Sequence, residues 1–195
     1  MYNAGDAGQR AVILCEGIPD TLSVLVAGLK DTGACGLYGT SGWQPAWLPL
    51  FRRAGRVYVA LDRDATDRAI ALARTFGARR RVLIPPEDLG PKGDLNDWLR
   101  VGARGDAAVF WSVLERALAT SPTPWALEIQ RLPPDLAPWD LEDHPGMRDL
   151  LCEIGHQGPL SRDVHLRLLA ERCRVALATL QAAARELAQD ADTEP

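Results

Sequence analysis

The sequence lacks the marks of a membrane, secreted or disulfide-bonded protein. No apolar run approaches the roughly 20 residues that span a bilayer. The segment Met1–Arg10 is polar and rich in Gly and Ala, with no basic flank leading into a signal-peptide core, so a cytoplasmic location is expected. The four cysteines, Cys15, Cys35, Cys152 and Cys173, are scattered without paired spacing, which points to reduced, buried thiols. Cys152 and His156 stand one helical turn apart, thin ground for a zinc site, and the three histidines form no pattern. No internal repeat is present. Hydrophobic residues at 47% and charged residues at 25% of the 195 positions fit an ordinary globular chain.

A basic excess is missing too, since the net charge is −4. Its distribution is uneven. Residues 1–118 carry 15 basic and 13 acidic side chains, whereas residues 119–195 carry 7 and 13. Arginines cluster at Arg52, Arg53 and Arg56 and again at Arg79, Arg80 and Arg81, where they can meet phosphates or simply be solvated.

Apolar runs and turn signals alternate along the first part of the chain. Ala11–Cys15, Ala34–Tyr38, Val57–Leu61 and Val82–Ile84 read as strands, the first and third as strands buried on both faces. Thr21–Leu29, Pro45–Arg53, Asp67–Phe76, Asp94–Val101 and Asp106–Ala119 read as helices, with Gly39–Gly42 as a turn and Gly77 as a helix stop. This alternation predicts an α/β fold with a mostly parallel, doubly wound sheet. Residues 119–146 hold six of the 14 prolines and read as an irregular connector packed through Trp125 and Trp139. Residues 147–195 are expected to form a small helical region. The expected division is therefore 1–118 (core 11–100), 119–146 and 147–195.

Acidic residues follow three of the predicted strands. Glu16-Gly17 follows the first, Asp62-Arg63-Asp64 the third, and Asp94-Leu95-Asn96-Asp97 the fourth across a loop. Ligands of open parallel sheets bind beyond the carboxyl ends of the strands. About 80 residues apart in sequence, these acids can therefore converge. Gathered carboxylates repel one another, and a divalent cation removes the repulsion; oxygen-only ligands favour Mg²⁺ or Mn²⁺ over zinc. Gly17 permits close approach of a backbone or phosphate beside Glu16.

The ordered set Glu-Gly, Asp-x-Asp and a downstream acid resembles the signature of Toprim domains, found in DnaG-type primases, topoisomerases, 5S RNA maturases, OLD-type nucleases and RecR proteins. Glu16-Gly17-Ile18-Pro19-Asp20-Thr21-Leu22, Gly39-Thr40-Ser41-Gly42-Trp43 and Lys92-Gly93-Asp94-Leu95-Asn96-Asp97-Trp98-Leu99 look most like the primases of phages and mobile elements. The resemblance implies a Toprim core with a C-terminal helical extension. It makes Glu16, Asp62 and Asp64 the catalytic set, with Glu16 handling a proton near the reacting oxygens and also counted among the metal ligands, and Asp62 and Asp64 the main Mg²⁺ (or Mn²⁺) ligands, with Asp20 and Asp94 assisting. Arg63, Lys92, Arg52 and Arg53 are the candidate nucleic-acid contacts. Two positions depart from the family pattern: Ala65-Thr66 stands where Ala-Gly is usual, and Asn96 stands where the last acid falls.

The activity implied is that of a nucleotidyltransferase, RNA primer synthesis in DNA replication on single-stranded DNA or RNA. A DnaG-type primase also has a zinc module and a template-binding half, so a split primase, a replicative helicase or another replication protein as partner is part of the expectation. A Toprim nuclease and a non-catalytic RecR-like DNA-binding scaffold are the alternatives. A haloacid-dehalogenase-like phosphatase matches Asp62–Thr66 and Gly93–Asp97 letter for letter, but only about 30 residues separate these motifs and Glu16 is left without a role. In the tail, Val164–Arg172 and Ala178–Ala188 read loosely as helix-turn-helix, although five arginines against four acids over 160–190 make a weak DNA footprint.

Overall fold

Four short parallel strands carry the first part of the molecule. In this computed structural model the described residues are all but Thr40, Ala78, Arg79, Asp135, 137–139, Leu141, Glu142, Glu194 and Pro195. The expectations for Thr40, Arg79 and Trp139 lie outside them. The strands are β1 (Ala11–Cys15), β2 (Thr32–Gly36), β3 (Arg56–Ala60) and β4 (Arg80–Val82), in the order β2-β1-β3-β4. Ala11 faces Thr32 on one side and Arg56 on the other, and Tyr58 faces Arg81. Central β1 and β3 are apolar along nearly their whole length because both faces of the sheet are covered.

The helix α1 (Ile18–Ala27) starts directly after β1, with Gly17 as an extended N-cap and Pro19 in the first turn, where the missing N–H costs nothing. It stops at Gly28, whose φ of 67° is the left-handed backbone that glycine adopts without strain. The helix α2 (Thr66–Arg74) follows β3. A short α3 (Leu95–Asp97) widens into a π turn over Trp98–Gly102 before α4 (Ala107–Thr120), which Asp106 caps by accepting from the amides of Ala108 and Val109. Ile13, Tyr58, Trp98, Phe110 and Leu114 form one core around this face of the sheet. Trp43, Trp47, Phe51 and Phe76 cluster separately, with ring centroids 5.1–6.1 Å apart. The segment Pro45–Arg53 in that cluster is a 3₁₀ helix rather than an α-helix, because Pro49 inside it removes a donor and clashes with the preceding turn.

Both borders of the sheet are occupied by the chain itself. Tyr2 and Gly36 exchange backbone hydrogen bonds (2.8 and 3.1 Å), and the Asp6 carboxylate accepts from the Ala34 amide (3.3 Å) and from Asn3 Nδ2 (2.9 Å). The N-terminal residues thus lie along β2, so closely that a Cβ on Gly33 would sit 2.6 Å from that of Asp6. On the other border the Val82 amide donates to the carbonyl of Pro122 at 2.9 Å.

The chain forms two compact units, Met1–Pro124 and Trp125–Pro195. The stretch expected as an irregular connector contains a helix, α5 (Pro124–Arg131), with proline in its first turn, where no intrahelical donor is lost. The second unit adds α6 (Met147–Gly155), α7 (Pro159–Cys173) and α8 (Leu177–Thr193). Its own core gathers Trp125, Ile154, Leu166, Leu169 and Leu180. α6 and α8 approach so closely that a Cβ on Gly155 would run into the carbonyl of Ala184. Arg172 closes the end of α5 by donating to the carbonyls of Gln130 and Leu132. The four cysteines are free. Cys152 Sγ lies 3.8 Å from His156 Nδ1, but that nitrogen also faces the Cys152 carbonyl at 2.9 Å, and Nε2 pairs with Asp192 at 3.3 Å. Among the described residues only one group of three metal-ligating side chains forms, and it is elsewhere. No helix among them is long and apolar enough to cross a membrane.

Candidate metal centre

The sheet order creates the site. From β1 the chain moves to β2 on one side and then to β3 on the other, so the connections diverge at the carboxyl ends of β1 and β3, where open sheets bind ligands. Glu16 leaves β1 and Asp62 leaves β3 at this point, and the Asp62 amide donates to Glu16 Oε2 at 3.3 Å. The close packing there requires small residues. A Cβ on Gly36 would lie 2.7 Å from Thr21 Oγ1 and 3.0 Å from the Gly17 carbonyl.

Asp20 sits in the first turn of α1 and is only 5% exposed, yet both of its oxygens are occupied. One accepts from the Gly17 amide at 3.3 Å and the other from the Asn96 amide at 3.1 Å. Ser23 Oγ reaches Asn96 Oδ1 at 3.4 Å and donates to the Pro19 carbonyl at 2.9 Å, tying α1 to the 94–97 turn. Asp94 caps α3 by accepting from the Asp97 amide at 2.6 Å. Its loop is drawn to the Asp62 turn by the Arg63 amide, which donates to the Gly93 carbonyl at 3.1 Å. A side chain at 93 would collide with Leu89 Cβ at 2.5 Å, so glycine there permits the approach.

One carboxylate oxygen from each of Asp20, Asp62 and Asp94 lies within 4.8 Å of the other two. Burial, and after it the charges of Glu16, Asp20, Asp94 and Asp64, push the Asp62 carboxyl up to about 7. Burial and then Asp94 raise Asp20 to about 6, against the opposing hydrogen bonds from Asn96 and Gly17. Such a set is frustrated as bare anions and suits a hard divalent cation: only oxygen donors, close enough to share one ion.

The predicted site residues divide accordingly. Asp20, Asp62 and Asp94 meet; Glu16 adjoins them by accepting from the Asp62 amide but stands outside the group of three, as does Asp64, which is exposed on the turn Arg63–Ala65. Lys92 is exposed beside Gly93. The Arg63 guanidinium is engaged with the Pro85 carbonyl at 2.8 Å and with Glu87 at 3.8 Å. Arg52 and Arg53 are exposed before the start of β3, at the opposite end of the sheet from Asp62. Two features were not readable in the sequence: the backbone amides of Gly17 and Asn96 that hold Asp20. A backbone donor leaves no trace in residue type, although Asn96 itself marked a departure from the family pattern.

The sequence from 11 to 105 matches the profile described as the Toprim domain. Residues 11–105 are a Toprim domain. No curated protein matches the chain. Among solved structures, it is similar to the DnaG catalytic core, with a TM-score of 0.57 and 20% identity over 88% of this chain and 54% of that one. It is also similar to the DnaG primase catalytic domain bound to ssDNA (TM-score 0.56, 18% identity, 90% of this chain and 55% of that one). A third similarity is to the Aquifex aeolicus primase, zinc-binding and RNA polymerase domains (0.52, 13%, 89% and 40%). At these identities the likeness is one of fold, and the chain spans about half the length of the primase chains it matches. The fold is thus α/β, a Toprim core with a C-terminal helical extension, and the Asp62–Thr66 run belongs to this domain rather than to a phosphatase.

Proposed function

We propose that the protein carries out Mg²⁺- or Mn²⁺-dependent phosphodiester chemistry on nucleic acid, as a nucleotidyltransferase of the primase kind that makes RNA primers. The observation that carries this reading is the convergence of Asp20, Asp62 and Asp94 oxygens within 4.8 Å at the switch point of a Toprim sheet. These three carboxylates would hold the cation. When bound, it supplies charge stabilisation for a phosphodiester under attack and orients the reacting oxygens.

The side chains around it have distinct tasks. Glu16 presents one oxygen to the Asp62 amide, which fixes its orientation and leaves the other to take or return the proton at the attacking or leaving oxygen. Asp64, exposed beside the group, is available on the substrate side, either to a second cation or to cation-bound water. Lys92 meets phosphate from the rim. Arg63 has its guanidinium held by Pro85 and Glu87 and so fixes the loop that carries Asp62 and Asp64. Arg52 and Arg53 would reach a strand only where it runs on towards the far end of the sheet. The second unit, and a replicative helicase or other replication protein, are the candidates for template handling.

The test is incubation with single-stranded DNA and labelled ribonucleotides in Mg²⁺ or Mn²⁺, with Asp62→Ala as control and products resolved by size. New oligomers absent from the variant are expected. Shortened template in place of oligomers would make the protein a nuclease. Neither product, with DNA binding retained, would make it a scaffold.

A further inference from the structure

The amino ends of the strands carry the opposite charge from the carboxyl ends. A cavity of about 450 Å³ opens there, lined by Arg10, Lys30, Asp31, Arg56 and Tyr58 among others. That volume lies within the range of small-ligand sites. Among the described residues Arg10, Lys30 and Arg56 form no ion pair with a carboxylate, and Asp31 is the single acid on the lining. Arg81, which faces Tyr58 in the β3–β4 register, adds a further cation beside them. Burial first, and then the charge of Arg56, lower the pKa of Arg81, so these guanidinium groups repel one another.

A cation at the end of a helix is commonplace, since the terminal carbonyls carry about half a negative charge. The end of α1 accounts for Lys30 in this way. It does not account for Arg10, Arg56 and Arg81, which belong to strands or to the residue before one. Tyr58 adds a hydrogen-bonding group to the same lining. It is 4% exposed, and its hydroxyl oxygen accepts from Arg56 Nη1 at 3.3 Å. Among the described residues nothing accepts the hydroxyl proton, and Tyr58 is one of the residues that line the cavity. A hydroxyl whose proton has no protein acceptor is available to donate to an anion held by the neighbouring cations.

We propose that this cavity binds a phosphate-bearing anion, either a free nucleoside triphosphate or the phosphodiester backbone of a nucleic acid. Arg10, Lys30 and Arg56 neutralise it and Tyr58 donates the orienting hydrogen bond. At about 3.3 Å per residue the strands put this site on the order of 15 Å from Asp62, so it is distinct from the metal centre and stands whether or not that centre is catalytic.

The test is direct binding to the full chain in EDTA, which silences the metal centre, with a fluorescent ATP analogue and a fluorescein-labelled oligothymidylate as separate probes. Lys30→Gln/Arg56→Gln should weaken binding by about tenfold or more and flatten the salt dependence for DNA by about two charges. Tyr58→Phe should weaken it by about threefold. Asp62→Asn should leave it unchanged. Loss for the oligonucleotide alone identifies backbone phosphate as the ligand, and loss for the nucleotide identifies the free triphosphate. No binding of either probe in EDTA, or equal affinity in wild type and the double variant, overturns the proposal. Circular dichroism reports folding, and if the double variant unfolds, Arg10→Gln and Tyr58→Phe decide by the same criteria.

Discussion

Asp62, with a carboxyl at about 7, and Asp20, at about 6, keep protons that the unfolded chain gives up near pH 4. Between roughly pH 4 and 7 the folded, metal-free protein therefore binds more protons than the unfolded chain. Its stability falls as pH rises through that window, the reverse of a salt-bridged carboxylate. A divalent cation opposes this by replacing the protons. In thermal melts without metal, Asp62→Asn should remove part of the decline between pH 5 and pH 8 and melt higher than wild type at pH 8. Added Mg²⁺ should stabilise wild type more at pH 8 than at pH 5 and leave the variant nearly unmoved. Parallel pH profiles for the two proteins would mean that Asp62 is not held against its charge.

Among the strands, β1 is the one whose expected limits, Ala11–Cys15, coincide with those observed. A continuous apolar run between polar neighbours leaves no freedom. The strands at the borders were displaced: β2 begins at Thr32 rather than Ala34, and β4 at Arg80 rather than Val82. Side-chain hydrophobicity reports burial, whereas a ladder is set by backbone partners, and Gly33 and Arg80 carry no hydrophobic signal. The acids Glu16, Asp62 and Asp94 were legible because strand ends in an open sheet point to a common crevice. The deep burial of Asp20 was not, because it depends on amides brought together by the fold. Equally hidden was the role of the first residues, whose polar, small composition suggested no structure although Asp6 is bound to β2. Asp6→Ala should cost about 1–2 kcal/mol in urea denaturation, from the loss of its bonds to Asn3 and to the Ala34 amide. An unchanged midpoint would mean that this segment is not fastened to the sheet.

For the whole molecule, each of the two units has its own apolar core, and the metal centre draws every residue from the first. Residues 1–124 alone should bind Mg²⁺ within about twofold of the full chain by calorimetry, since no ligand is lost. A much weaker isotherm would show that the helical unit supports the acids. The hydrogen bonds of Tyr2 and Asp6 at one border and of Pro122 at the other have a consequence for association. The sheet offers an incoming peptide little ladder to extend at either side. At the β2 border a peptide could add a strand only after Tyr2, Asn3 and Asp6 let go of Ala34 and Gly36, so a partner that pairs there would have to displace the first residues of the chain.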